Sequence, residues 1–303
     1  MATVRTEGPA RLGGPARISI AGAEANVAIG LARLGHTCRW IGAVGDDQFG
    51  ALVLRTLRAE GVDVSAVRID AAPTGILVSE HRLAGVTRVD YHRRGSAGST
   101  LAPDDLRTAW DPPPRFVHVT GLTMALGSGP AQAVGAAVRT AHERGVPVCL
   151  DVNHRNRLWT TAHARTSLQT LAGLLDVVIA SDDELALLAP AGAPREDQVA
   201  ALLEGGVSQI VLKHGAAGAS AHTADMTVEL PATPVTAVDP IGAGDAFVAG
   251  FLSGQLDGLP LADRLVRATT AGAFAAATIG DWEGLPHREE LGLLGLQAGT
   301  VVR

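Results

Sequence analysis

From about residue 115 the chain repeats one rhythm, a short and mainly apolar run followed by a longer segment of helical period. FVHVT (Phe116 to Thr120) leads through a Gly/Ser-rich loop into an Ala-rich helical stretch from Gly129 to Arg144. VPVCLDVN then reads as a strand and Thr161 to Leu175 as a helix. DVVIA is a strand, Asp183 to Leu188 a helix, and SQIVLKHG a strand again. Strands that are apolar throughout, each followed by a helix, predict an α/β fold with a mostly parallel central sheet covered by helices on both faces. The first part adds a further unit: Glu24 to Leu34 is helical, CRWIGAVG is a strand, and Gly50 to Ala59 is a helix ending near Gly61.

One segment breaks the rhythm. Thr74 to Arg94 (TGILVSEHRLAGVTRVDYHRR) holds two alternating runs around Leu83-Ala84-Gly85, the pattern of a β-hairpin. Inserted in an α/β chain, such a hairpin can serve as a lid, as a dimer flap, or as a plain edge. Pro112-Pro113-Pro114 reads as a rigid connector within one domain spanning 1–303, with no internal repeat and no low-complexity linker.

Composition narrows the function classes. With 303 residues, 47% of them hydrophobic and only 3% aromatic, the chain can build a sizeable aliphatic core. A net charge of −6, without a run of Lys/Arg, argues against a nucleic-acid partner. Neither a signal-peptide apolar region near the start nor a stretch of about 18 apolar residues occurs, so the expected place is the cytoplasm, with no membrane partner. Cys38 and Cys149 each sit beside apolar residues, as buried reduced thiols would. His118, His154 and His214 have no zinc-ligand spacing.

Candidate chemistry concentrates in TAVDPIGAGDAFVAGFLSG, Thr236 to Gly254. A short strand runs into Asp239-Pro240, then Gly242-Ala243-Gly244, then a helix carrying Asp245 in its first turn. Small residues let the backbone approach a ligand, and the free N–H groups of a helix N-terminus favour an anion. A carboxylate there would repel phosphate, but it is useful if it takes the proton of an attacking hydroxyl. The residues alone leave Asp245 two readings, that base or a helix cap beside an ordinary turn.

DPIGAGDAFVAGFL resembles the C-terminal signature of the ribokinase-like (PfkB) carbohydrate kinases, and AGAEANVAIGLARLGHTCRWIGAVGDDQFG (Ala21 to Gly50) resembles their N-terminal one. The second departs at Glu24, where many members have proline. The resemblance covers nearly the whole chain and implies ATP-dependent phosphorylation of a sugar hydroxyl. It assigns Asp245 as base, Gly242, Ala243 and Gly244 as the anion hole, and Gly22 and Asn26 as sugar-binding positions. SDDE (Ser181 to Glu184) resembles an N-x-x-E element, with Ser181 in place of Asn and Glu184 acting on Mg²⁺ and phosphate through water. LKHGAAGA resembles the nucleotide loop, implying Lys213 near the phosphates and Gly215 and Gly218 beside ATP; Lys213 could equally be a strand-end surface lysine. K⁺ near Asp239 and a homodimer formed through the lid, itself built from segments near 3–21 and 74–94, are implied by the resemblance alone.

Two further segments bear on the substrate. DVNHRNRLW (Asp151 to Trp159) resembles a DPNxRxxLW element facing the sugar. YHRRGSAGS (Tyr91 to Ser99) resembles the lid end of 2-keto-3-deoxygluconate kinases, which implies Tyr91 and Arg93, with Arg155, as contacts to an acid sugar. A guanidinium fork suits a sugar carboxylate, whereas a neutral hexose needs no such charge. Surface ion pairs are the other reading of these arginines, above all of Arg94 and Arg157. Leu77 and His92 stand where related enzymes often carry tyrosines.

The family pattern also includes an opening strand that has no counterpart here. MATVRTEGPARLGGPARISI resembles the segment after that strand, so roughly a dozen residues of the pattern are absent, which would leave a neighbouring edge unpaired. The alternatives to a sugar-acid kinase are a kinase for a neutral sugar or nucleoside (fructose, ribose) and a catalytically weak sugar- or nucleotide-binding relative.

Overall fold

A computed structural model describes residues 1–83 and 86–295. The chain opens with β1 (Ala2–Thr6) and β2 (Ala16–Ile20), enters α1 (Ala23–Arg33), and continues through β3 (Gly42–Gly45), α2 (Gln48–Ala59) and β4 (Val67–Asp70). β5 (Ile76–Leu83) and β6 (Val86–His92) pair antiparallel as the expected hairpin, and Ala84 and Gly85 between them lie outside the described residues. The alternating part comes next: β7 (Val117–Thr120), a short α3 (Gly121–Met124), α4 (Ser128–Glu143), β8 (Val148–Asp151), α5 (Thr161–Gln169), β9 (Val177–Ser181), α6 (Arg195–Glu204) and β10 (Gln209–Lys213). β11 (Ala219–His222), β12 (Thr227–Leu230), α7 (Ala243–Leu256) and α8 (Leu261–Ala276) come last.

The main sheet has the order β12-β11-β10-β9-β8-β7, parallel from β7 to β10 and antiparallel at β11 and β12. Its strands are apolar throughout because both faces are covered. On β9, Val178 and Ala180 pack into a core with Val138 of α4, Leu168 of α5 and Leu202 of α6. Val177 and Ile179 face the other way, against Leu31 of α1, Phe251 of α7 and Leu265 of α8. Alternate residues of one strand thus serve two cores, as the two-residue repeat of a strand requires. Cys149 belongs to the second core, and Cys38 packs at its margin; both are free thiols. Burial pushes the Cys38 thiol up to about 12 and Cys149 well above its ordinary value, so neither is a ready nucleophile.

A separate four-stranded sheet has the order β2-β1-β5-β6, with β1 antiparallel to β2 and parallel to β5. Both expected lid segments therefore join one sheet. Several elements are shorter than their sequence pattern, VPVCLDVN and SQIVLKHG among them, which shrink to β8 and β10. The helix expected over Thr161–Leu175 ends at Gln169 and gives way to a single 3₁₀ turn at Ala172–Leu174, where Gly173 weakens continuation. Asp183–Leu188 yields only the 3₁₀ turn Leu185–Leu187, because Pro190 comes too soon after it for a helix to extend. The strand in CRWIGAVG shrinks to β3, although Arg39 makes an isolated bridge to Asp63.

Among the described residues β3 pairs with β4 alone and β7 with β8 alone. A cavity of about 1220 Å³ lies between these two parallel edges, touching Gly42 and Ala43 on one side and Val117 and Val119 on the other. It continues to Asp151 and Asp245 at the strand ends. On its β7 wall His118 has both ring nitrogens buried without a hydrogen-bond partner, and burial lowers its affinity for a proton.

Candidate active site

The site is assembled at the carboxyl ends of β8, β9 and β10 and at the start of α7, where open α/β sheets place ligands. Asp151 ends β8, Ser181 ends β9 and Lys213 ends β10, and parallel pairing sets Lys213 beside Ser181. The Lys213 Nζ donates to Asp151 Oδ1 at 2.8 Å. Burial works against the lysine's charge, but Asp151, Glu184 and Asp245 together outweigh it and hold the ammonium form above its ordinary range. A Cβ on Gly244 would lie 3.9 Å from that Nζ, so the lysine stands directly beside the Gly242–Gly244 turn.

That turn needs glycine for a definite reason. Gly242 has φ +78, and a Cβ there would come within 1.9 Å of the Asp281 carbonyl oxygen. The left-handed residue ends the turn and starts α7, which opens with Ala243 and Gly244; the Ala243 N–H donates weakly to the Pro240 carbonyl oxygen at 3.3 Å, and the helix N-terminus still favours an anion. Asp245 lies next in the first turn, and its Oδ2 accepts from Asn26 Nδ2 at 2.7 Å. Burial pushes the Asp245 carboxyl up to about 7; the Asn26 hydrogen bond and the charges of Lys213 and Arg155 oppose the shift, and Asp151 adds to it. The sequence alone required no large shift, and the neighbouring Asp151 across the site is part of what the sequence could not show. A carboxyl poised near neutrality is well matched to accepting a proton from an alcohol that is losing it in a transition state.

The sugar positions from the N-terminal signature face this base. Gly22 caps α1 with φ +148, a conformation that favours glycine. Asn26 is buried on α1, and while its Nδ2 holds Asp245 its Oδ1 is buried without a partner, an unused acceptor in the wall of the cavity. The Arg93 guanidinium lies over the Tyr91 ring, 4.2 Å from its centroid, and Arg93 Nε is buried without a hydrogen-bond partner. Burial lowers the Arg93 pKa and Tyr91 opposes this, while the Arg155 charge lowers it further, a mark of two guanidinium groups sharing one wall. Arg155 lines the same cavity and is exposed. Arg157 instead donates to the Val89 carbonyl oxygen, fastening the loop after β8 to the lid, and Arg94 is exposed.

Glu184 is a brace: its Oε2 accepts from the Ser181 N–H at 2.8 Å and its Oε1 from the His154 N–H at 2.6 Å. Each oxygen keeps a lone pair for a water, so the pair of carboxylate oxygens fits a divalent ion held at one remove. Ser181 Oγ is occupied by Asp183 at 2.7 Å. In the loop after β10, Gly215 has φ +58 and Gly218 φ +118. A Cβ on Gly218 would strike the Leu230 carbonyl oxygen at 2.0 Å, so the close approach there is to the chain itself.

Asp151 and Glu24, named in the sequence only within their motifs, take roles there that the motifs did not assign. Asp151, buried at the tip of β8, positions Lys213. Glu24 accepts from Thr120 Oγ1 at 2.6 Å and from Thr123 Oγ1, linking α1 to the end of β7. The position of Asp151 at the end of an apolar strand was the available signal; its partner is 62 residues away and was not legible.

An α/β fold with a glycine turn at a helix N-terminus, an adjoining lysine and a buried carboxyl raised towards neutrality is the arrangement expected of a phosphotransferase acting on an alcohol. The chain belongs to the pfkB family of carbohydrate kinases, whose pattern residues 6–288 match. It is 37% identical over 279 residues to the 2-dehydro-3-deoxygluconokinase of Bacillus subtilis (strain 168), covering 90% of this chain and 85% of that one. To a fructokinase of Klebsiella pneumoniae it is 36% identical over 287 residues, covering 89% and 90%. A double mutant of the Vibrio cholerae O395 fructokinase, solved with fructose, ADP and potassium ion, superposes with a TM-score of 0.83 at 26% identity, covering 97% and 95%. The protein transfers phosphate to a sugar hydroxyl. None of its described helices is long and apolar enough to cross a membrane.

Proposed function

We propose that the acceptor is a sugar acid, 2-keto-3-deoxygluconate (2-dehydro-3-deoxygluconate) or a close analogue, and that ATP with Mg²⁺ is the donor. The observation that carries this reading is the pair Arg93 and Arg155 in one cavity wall, with Arg93 Nε lacking a partner, in the same cavity as Asp245. A carboxylate would supply that partner, and charge-assisted hydrogen bonds to guanidinium are the strong ones. In this reading Gly22 and Asn26 hold sugar hydroxyls, Tyr91 flanks the sugar, and Asp245 takes the proton of the attacking hydroxyl. The N–H groups of Gly242, Ala243 and Gly244 receive the transferring phosphate's charge, and Lys213 adds a positive charge beside them. Ser181, Gly215 and Gly218 belong to the nucleotide side. Glu184 would hold Mg²⁺ through water, where the ion would screen the phosphates.

A neutral acceptor is the second reading, favoured by the near-equal identity to a fructokinase. A coupled ADP-release assay over a panel of sugar acids and neutral sugars tests the first. The best kcat/KM should fall on a sugar acid; a clear preference for fructose or ribose would remove that reading.

The wider organisation is part of the proposal. One kinase domain carries the lid. The lid exposes Leu12 and Ile18, 70% and 56% accessible, and is the face through which two copies would pair. Sedimentation velocity reads this directly, and a monomer at every concentration would dismiss the dimer.

A further inference from the structure

Behind the anion-binding turn lies a charge cluster that the proposed phosphate transfer does not use. Asp239 is fully buried at the start of the turn, and its Oδ1 accepts from the Ile241 N–H at 3.2 Å. Asp281, 6% exposed, comes from the loop after α8, and its carbonyl oxygen abuts Gly242. Into the space between these two carboxylates the lid strand β1 sends Arg5. Its Nη1 donates to Asp239 Oδ2 at 2.6 Å, and its Nη2 is 3.8 Å from Asp281 Oδ2.

Two buried carboxylates next to a phosphate site are costly without a cation, both through their mutual repulsion and through repulsion of the phosphate. The effect is visible at Asp281, whose carboxyl is pushed up to about 7 by burial, with Arg5 pulling it down and Glu283 and Asp239 pushing it up. The void beside the cluster, lined by Thr3, Arg5 and Asp281, is only about 10 Å³. That is at the lower limit for a single water, and Asp281 also borders the large cavity on its other side. In the potassium-bound Vibrio cholerae fructokinase the ion belongs to that protein; here a guanidinium from the chain itself stands between the carboxylates.

We infer that Arg5 is a positioning residue that serves as a built-in monovalent cation. It neutralises Asp239 and Asp281, fixes Asp239 on the Ile241 N–H, and so holds the Asp239–Gly242 turn in its phosphate-binding shape without a metal ion. The inference rests on the kinase reading only in taking that turn as the phosphate site. It also ties the lid to the turn, because the same β1 strand that pairs with β2 and β5 carries the arginine.

The test uses nucleotide affinity, which needs no choice of sugar. ATP binding with Mg²⁺ is measured by calorimetry for the wild type and for Arg5→Ala, Arg5→Gln and Arg5→Lys, in potassium, sodium and tetramethylammonium chloride of equal ionic strength. Turnover on the best sugar of the panel is measured in parallel. The wild type should change by less than about twofold among the three salts. Arg5→Ala and Arg5→Gln should lose about tenfold or more in ATP affinity or kcat, as removal of one partner of a buried ion pair does. Potassium or added guanidinium ion should restore part of that loss, and Arg5→Lys should retain more than either neutral variant. A purely structural arginine would show the loss without the rescue, and that result overturns the inference. So does a wild type activated about fivefold or more by potassium, or an Arg5→Gln enzyme equal to the wild type in tetramethylammonium. If Arg5→Ala does not fold, as judged by circular dichroism, the Gln and Lys variants carry the comparison. Should no sugar in the panel be phosphorylated while ATP affinity shows the expected pattern, the substrate reading fails and this inference stands.

Discussion

In the proposed reading most of the chemistry converges on Asp245, and its surroundings lead to two separate expectations. Replacing it with Asn keeps a side chain of the same size on Asn26 and removes the proton acceptor. Asp245→Asn should bind sugar and ATP nearly as the wild type does while kcat falls roughly 10²-fold to 10⁴-fold, the usual worth of a positioned base. A variant keeping more than about half of the turnover would take Asp245 out of the mechanism. The second expectation is the pKa near 7. A base works only when deprotonated, so kcat/KM of the wild type should fall on the acid side of about pH 7, and a limb near 4 would contradict the burial argument. The sign for stability is the reverse of the usual carboxylate. A folded-state pKa raised above the unfolded value means that ionisation costs stability progressively as pH rises from about 4 towards 7. Asp245→Asn should therefore melt higher than the wild type at pH 8 and equal to it near pH 4; differential scanning calorimetry at the two pH values decides.

At the same scale, the backbone of the anion hole is as demanding as any side chain. Gly242→Ala puts a Cβ into the Asp281 carbonyl oxygen and forces a left-handed alanine, itself a cost of about 1–2 kcal/mol. The expected result is a folded enzyme with severely weakened ATP binding and turnover, measured side by side with Gly258→Ala. Gly258 also has positive φ but meets nothing within 4 Å, so its substitution should lower the melting temperature slightly and spare activity. Equal activity losses in both would mean that the turn around Gly242 has no special part in catalysis.

At the level of elements, the sequence was most informative where pattern and burial agree. β7 to β10 and the helices between them are dictated by apolar runs whose two faces both meet helices, as Val177 and Val178 show by facing opposite cores. The hairpin of β5 and β6 was legible from alternation, and the Gly242–Asp245 turn from its spacing. What was not legible depends on contacts far apart in the chain. Arg5 meets Asp239 across 234 residues, Asn26 meets Asp245 across 219, and no local pattern encodes either pair. Short elements failed for a different reason: beside Asp183–Leu188 a proline at 190 decides the outcome, and a propensity reading of six residues is too weak to resist it. Among the described residues β3 and β7 each have one unpaired edge, and this leads to a prediction. Hydrogen exchange should be markedly faster in Gly42–Gly45 and Val117–Thr120 than in β9 and β10, whose strands are paired on both sides. Protection in β3 and β7 equal to that of β9 would mean that something already pairs with those edges.

For the whole molecule, the arrangement amounts to a division of labour between two sheets. In the proposed reading the parallel sheet and α7 present the base, the lysine and the anion hole, while the four-stranded sheet, as their lid, carries Tyr91 and Arg93 to the same cavity and Arg157 donates to the Val89 carbonyl oxygen. Closing such a lid excludes water and completes the site, so lid residues can affect kcat as well as KM. The central claim, that this kinase reads a carboxylate with arginines at the lid, is tested most directly by one comparison. The kcat/KM of wild type and Arg93→Ala is measured on 2-keto-3-deoxygluconate and on a neutral analogue lacking the carboxylate. Losing charge-assisted hydrogen bonds worth about 1.5–3 kcal/mol each predicts a fall of roughly tenfold or more on the acid and little change on the neutral analogue. Equal losses on both substrates, or a wild type that prefers the neutral one, would contradict the account.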